Sequence, residues 1–136
     1  MTIDDIVAGA IKVGDELQIN EWDNHFKVCA VSEGYILAHH GEMEYTIIQR
    51  KPTDFGPYNG IPAGSIICGP DWWSLGWLPE KDFDGDEGNQ YQFGNPEWCK
   101  LYMADLESGK TEVSMRNRAM IWDLKVYRSG VCVAEA

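Results

Sequence analysis

Between residues 11 and 50, four short runs of alternating apolar and polar residues follow one another, each ended by a tight turn. Ile11-Lys12-Val13 passes through Gly14-Asp15 into Glu16-Leu17-Gln18-Ile19, and Glu21-Trp22-Asp23-Asn24 connects this run to Phe26-Lys27-Val28-Cys29-Ala30-Val31. Ser32-Glu33-Gly34 turns the chain into Tyr35-Ile36-Leu37-Ala38. His39-His40-Gly41-Glu42 turns it again, into Tyr45-Thr46-Ile47-Ile48-Gln49. Alternation of period two, bounded by Gly, Asn, Asp and Ser, predicts β-strands. In the second strand it places Phe26, Val28 and Ala30 on one face. Four strands joined this way form an antiparallel meander that cannot lie flat with its apolar face in water. The sheet has to curl into a small barrel or be covered on one face. For residues 11–50 the first expectation is an SH3-like small barrel.

Residues 51–94 are of a different kind, rich in Pro, Gly, Trp and acids. Lys51-Pro52, Gly56-Pro57, Asn59-Gly60 and Pro62 predict a long loop. Within the stretch Gly60 to Trp77, Ser65-Ile66-Ile67-Cys68 is a short apolar run between Gly64 and Gly69-Pro70. Such a run reads as a strand buried on both faces, with Gly and Pro ending the ladder. Three of the six tryptophans follow, Trp72, Trp73 and Trp77. Adjacent side chains on an extended segment point to opposite faces, so Trp72 and Trp73 cannot share one core there. They either roof the core or form an apolar anchor for a partner, a stacking platform for a ligand, or a face for self-association.

The last third is mixed. Asn95-Pro96-Glu97 predicts a helix start over residues 95–108, with Asn95 as N-cap, Pro96 at the first position and Glu97 complementing the dipole. Trp98, Leu101, Tyr102 and Leu106 then share a face, and Gly109 supplies the stop. C-terminal strands are expected across residues 112–134. Met120 to Tyr127 alternates with Trp122, Leu124 and Val126 inward, and Ser129-Gly130 turns the chain into Val131-Cys132-Val133 as a closing hairpin. At the other end Thr2 and Asp5 form a capping pair for a short N-terminal helix, which Gly9 ends early. The whole, residues 1–136, reads as one β-rich α+β domain, long enough to bury a core without metal or disulfide.

Composition narrows the function. The formal charge is −11, with −6 carried by residues 1–68 and −5 by residues 69–136. Acidity in both halves repels phosphate, so direct nucleic-acid binding is not expected, and association with a basic surface is favoured. Cys29, Cys68, Cys99 and Cys132 are far apart, with no C-x-x-C pair, and read as buried thiols. The start Met1-Thr2-Ile3-Asp4-Asp5 is acidic where a signal peptide is basic, and no apolar stretch reaches eighteen residues. A cytoplasmic protein that does not enter a membrane is expected.

Motifs for chemistry are scarce. Asp82, Asp84 and Asp86 fall at positions one, three and five of a calcium loop, but positions six and twelve hold Glu87 and Phe93 where Gly and Glu are required. A solvated acidic loop is the better reading. His39-His40 is expected at a turn, and together with His25 it shows no fixed orienting partner. There is no nucleophile elbow, no Cys beside a His in sequence and no glycine-rich phosphate loop. Neither a cofactor nor a catalytic residue is assigned.

One resemblance adds context. The tract Val13-Gly14-Asp15-Glu16-Leu17, Phe26 to Ser32 and Glu44-Tyr45-Thr46-Ile47-Ile48, with Thr111 to Arg118, resembles small uncharacterised proteins encoded in phage and prophage regions of bacterial genomes. It covers about half the chain. What it implies is a setting in which small acidic proteins include inhibitors of host defence, anti-CRISPR proteins among them.

The leading expectation is therefore a non-enzymatic, phage-type interaction protein. Trp72, Trp73 and Trp77 would supply its apolar anchor, and Asp82, Asp84, Asp86 and Glu87 its steering toward a basic protein surface, such as the nucleic-acid channel of a defence nuclease. A small-ligand or carbohydrate binder using the tryptophans as a platform is the alternative, and a hydrolase with an unrecognised site is the second.

Overall fold

The computed structural model describes residues 1–41, 44–51, 62–68, 95–109 and 119–136. They form an antiparallel sheet of eight strands: β1 (Glu16–Ile19), β2 (Phe26–Val31), β3 (Tyr35–His40), β4 (Glu44–Gln49), β5 (Ser65–Cys68), β6 (Ala119–Met120), β7 (Leu124–Arg128) and β8 (Val131–Glu135). Their order across the sheet is β6-β5-β4-β3-β2-β1-β7-β8. The meander is thus extended at both ends, by β5 and β6 beyond β4 and by the β7–β8 hairpin beside β1.

Connectivity dictates that this sheet curls. Lying flat, β6 and β7 would be six strand spacings apart, about 29 Å. Yet only Ile121, Trp122 and Asp123 join them, and such a link spans at most about 14 Å. The sheet must bend until its β6 end approaches β7, which makes it a half-barrel. Asn20, at the end of β1, fastens this corner. Its side-chain oxygen accepts from the backbone N–H of Trp122 (2.9 Å) and of Asp123 (3.3 Å), and its amide donates to the Met120 carbonyl (3.2 Å). Asn20 adopts φ +52°, a left-handed conformation that asparagine tolerates better than most residues. The corner also corrects one expectation. Residues 120–127 are not one strand, and Trp122 is 66% exposed while Ile121 takes the inward place.

The inside of the curl is filled by Leu17, Ile19, Phe26, Val28, Ile36, Ile48, Ile66, Leu124 and Val126. The N-terminus plugs it. Helix α1 (Ile3–Asp5) starts with the predicted capping box, in which the Asp5 N–H donates to Thr2 Oγ1 at 3.1 Å and the Thr2 N–H to Asp5 Oδ2 at 3.2 Å. It continues through Gly9 as a π-helical turn, Ile6–Ala10, which buries Ile6 and Val7 among the strand side chains. Each such aliphatic side chain contributes about 1.5–3 kcal/mol when fully removed from water.

Against the other face lies helix α2 (Pro96–Glu107), capped by Asn95 Oδ1 accepting from the Glu97 N–H at 3.0 Å. Cys99, Tyr102, Met103 and Leu106 pack with Ala30, Leu37, Tyr45, Ile47 and Ile67. Tyr102 meets Tyr45 edge-on, with ring centroids 5.6 Å apart. Of the expected stripe, Tyr102 and Leu106 are buried and Trp98 packs beside them, and one residue differs. Leu101 is outside, 37% exposed, and Cys99 and Met103 are inside. As predicted, β5 is buried on both faces, Ile66 entering the inner cluster and Ile67 the outer.

One irregularity in β2 moves a residue between faces. Val28 is opposite Ala38 and Ala30 is opposite Leu37, so Cys29 is an extra residue, a β-bulge. Beyond the bulge the alternation inverts. Ala30 therefore joins the α2 side, not the face of Phe26 and Val28 as the sequence suggested.

Candidate functional site

The residues assigned to partner binding from the sequence, Trp72, Trp73, Trp77, Asp82, Asp84, Asp86 and Glu87, lie outside the described residues. So do most of the Pro- and Gly-rich stretch and Arg116 and Arg118. The charges of the described residues are informative in themselves.

Among the described residues both arginines are turned inward to the protein's own backbone or to a buried acid. Arg50 donates from Nε to the Val7 carbonyl at 2.9 Å, from Nη2 to Ala8 at 2.5 Å and from Nη1 to Ser32. Arg128 donates from Nη2 to the Ala10 carbonyl at 3.1 Å and holds Asp15 with two further bonds. A π-turn leaves carbonyls without partners within the turn, and these guanidinium groups satisfy three of them. The hydrogen bonds from Arg128 hold the Asp15 carboxyl below the usual carboxylate range, overcoming the cost of its burial. Lys51 is paired with Glu33, whose carboxyl is lowered by that contact, and Lys100 lies 3.5 Å from Glu97. Asp4, Glu16, Glu21, Asp23, Glu107 and Glu135 are exposed.

The histidines lie elsewhere than expected. His39 and His40 end strand β3, and the turn begins only at Gly41 (φ +67°). His25 does have an orienting partner, since its Nδ1 is 2.6 Å from Glu16 Oε1. Its ring stacks on Tyr127 with planes 5° apart and centroids 6.2 Å apart. The Tyr127 hydroxyl in turn donates to Gln18 Oε1 at 3.4 Å. A carboxylate-held imidazole is half of a general base, but its use needs a nucleophile or bound water in reach and shelter from solvent. Side-chain exposures of 37% for His25 and 54% for Glu16 leave this pair open to water and screened. His40 Nδ1 sits 3.1 Å from the His25 carbonyl and His39 Nδ1 2.7 Å from that of Gly41, so neither ring joins a common centre. Among the described residues no group of three or more His, Cys, Asp and Glu is placed to hold a metal ion.

The cysteines are not uniformly buried thiols. Cys132 is exposed, Cys29 is half-buried and Cys99 is fully buried. Cys29 faces α2 and packs against the cluster that holds Cys99 in the first turn of the helix. Seventy residues separate them in sequence, and no spacing motif announces the pair. The one available signal was that Cys99 falls three and seven positions before Tyr102 and Leu106, on the buried stripe.

Comparison with protein families, with curated proteins and with solved structures returns no match.

Proposed function

We propose that this chain is a non-enzymatic acidic interaction protein that binds a basic, nucleic-acid-handling protein, such as a host defence nuclease, on the surface that protein uses for phosphate. The observation that carries the reading is the fate of the arginines. Arg50 and Arg128 spend their donors on the chain's own carbonyls and on Asp15, while Glu16, Glu21, Asp23 and Glu107 stay in water. Among the described residues, therefore, the arginines direct their donors to the chain itself and not outward to a phosphate or an acidic partner. A net charge of −11 on a chain this size raises the association rate with a basic partner and excludes acidic ones.

In this reading Asp82, Asp84, Asp86 and Glu87 add steering, and Trp72, Trp73 and Trp77 supply the desolvated anchor that turns encounter into residence. The stretch is tethered at both ends to the framework, by β5 before it and α2 after it. The resemblance to phage-encoded proteins supplies the biological setting, inhibition of host defence.

The test is capture by the tagged chain from bacterial lysate at low and at high salt, followed by elution with duplex DNA. The reading requires a stoichiometric nucleic-acid enzyme that is retained at low salt, lost at high salt and released by DNA. A partner that DNA does not displace, or no partner at either salt, contradicts it.

A further inference from the structure

We propose that Trp122 and Met120, held outward at the corner between β6 and β7 and bordered by carboxylates, form a docking spot for an arginine-bearing surface of a basic protein. The inference rests on the reading of the chain as an acidic binder, and it names a contact point among the described residues.

The corner is built to present these side chains. Ile121 is buried, and on an extended link its two neighbours both point the opposite way. Met120 is accordingly 55% exposed and Trp122 66%. Single exposed apolar residues are ordinary on a protein surface, but here a tryptophan and a methionine share one face. Nor is the link loose. The buried side chain of Asn20 bonds both the Met120 carbonyl and the Trp122 N–H, and its backbone N–H donates to the Asp123 carbonyl at 2.7 Å. A backbone fixed on both sides of the indole loses little freedom when a partner covers the ring.

Charge decides the occupant. Glu21, exposed, follows Asn20 directly, and Asp123, half-buried, follows Trp122. Asp4 lies on the Met120 side. A Cβ on Gly64 would meet Asp4 Oδ1 at 3.6 Å, and the next residue, Ser65, has its hydroxyl 3.5 Å from Met120 Sδ. None of these three carboxylates enters an ion pair with a described residue. Lys125, the nearest described cation along the chain, stands opposite Glu135 in the register of β7 and β8. A second copy would set the acids against themselves around a twofold axis. A guanidinium fits instead: its plane stacks on the indole while its N–H groups reach a carboxylate beside the ring.

The test is a nuclear magnetic resonance titration of the isotope-labelled full chain, in which Trp122→Phe identifies the Trp122 indole N–H by its disappearance. The probe is a short peptide alternating Arg and Leu, set against the same peptide with Glu in place of Arg. The arginine peptide should shift the Trp122 indole N–H saturably, together with the backbone N–H groups of Glu21 and Asp123. The glutamate peptide should shift none of them. Glu21→Gln combined with Asp123→Asn should weaken the arginine peptide about fivefold. Against the basic protein captured by the parent chain, Trp122→Ala should raise the dissociation constant about thirtyfold. Shifts that leave out the Trp122 indole, or that survive unchanged in the chain with both acids neutralised, would overturn the proposal. So would a Trp122 signal that moves with protein concentration alone, which assigns the face to a second copy. The two readings fail separately. If the lysate yields no basic partner, the functional reading falls and the titration still decides this spot; if a captured partner binds Trp122→Ala as tightly as the parent, the spot falls alone.

Discussion

Arg128 closes on Asp15 from the end of β7 with two parallel hydrogen bonds, Nε to Oδ1 at 2.8 Å and Nη2 to Oδ2 at 2.7 Å. The carboxylate they hold has only 2% of its side chain exposed, and it also accepts from the Lys12 N–H at 2.9 Å. This fork joins the turn before β1 to the hairpin of β7 and β8, while the third bond of Arg128, to Ala10, fixes the end of the N-terminal plug.

The pH dependence follows from the direction of the Asp15 shift. Its folded pKa is depressed, chiefly by Arg128, so its contribution to stability is present above the unfolded carboxylate value of about 3.9 and is lost as pH falls through the folded value. Asp15→Asn should be less stable than the parent at pH 7 by a margin that narrows below about pH 4. Urea unfolding of both chains across that range measures the gap. A margin that stays constant would remove the ion pair from the explanation.

Asn20 should be the most sensitive polar position in the corner. Alanine there strands two backbone N–H groups and meets a left-handed φ, costing about 2–3 kcal/mol. Asn20→Asp keeps the acceptor and loses only the donor to Met120, so it should cost less than Asn20→Ala. Chemical denaturation of the two variants orders them.

Gly64 meets α1 at a point where no side chain fits. Its φ is +80°, and a Cβ there would lie 2.8 Å from Ile3 Cγ2. Gly64→Ala should lose about 2 kcal/mol through strain and overlap together. Adding Ile3→Ala relieves only the overlap, so a double-mutant cycle in thermal unfolding should recover part of the loss and not all of it.

On helix α2 the buried stripe predicts opposite outcomes for neighbouring apolar residues. Met103→Ala should cost about 2–3 kcal/mol, whereas Leu101→Ala should stay within ~0.5 kcal/mol. Equal losses would mean that Leu101 is buried as well, contrary to its outward place.

How much of this was legible depended on whether the cause was local. The meander, the Thr2–Asp5 capping box, the Asn95 cap, the doubly buried β5 and the Ser129-Gly130 turn were all readable, because each rests on a few adjacent residues. Ser129 and Gly130 indeed both take positive φ, as that tight turn requires. The bulge at Cys29 was not readable. Val28, Cys29 and Ala30 alternate acceptably, and only the partner strand shows which is extra. Nor could Trp122 be placed outside, since its exposure follows from bonds to Asn20 a hundred residues away. The Glu16–His25 contact and the meeting of Cys29 and Cys99 in one cluster are likewise products of strand register and helix docking. Trp72, Trp73, Trp77 and the acids from Asp82 to Glu87 remain a proposal from sequence, resting on charge and aromatic content.

The most direct test of that proposal is kinetic. The association rate between the chain and its captured partner should be measured across ionic strength, with and without Asp82→Asn, Asp84→Asn, Asp86→Asn and Glu87→Ser together. Electrostatic steering predicts that the fourfold variant associates about tenfold or more slowly at low salt and that the difference closes as salt rises. An association rate unchanged by the substitutions at low salt would contradict the steering role of the acidic stretch.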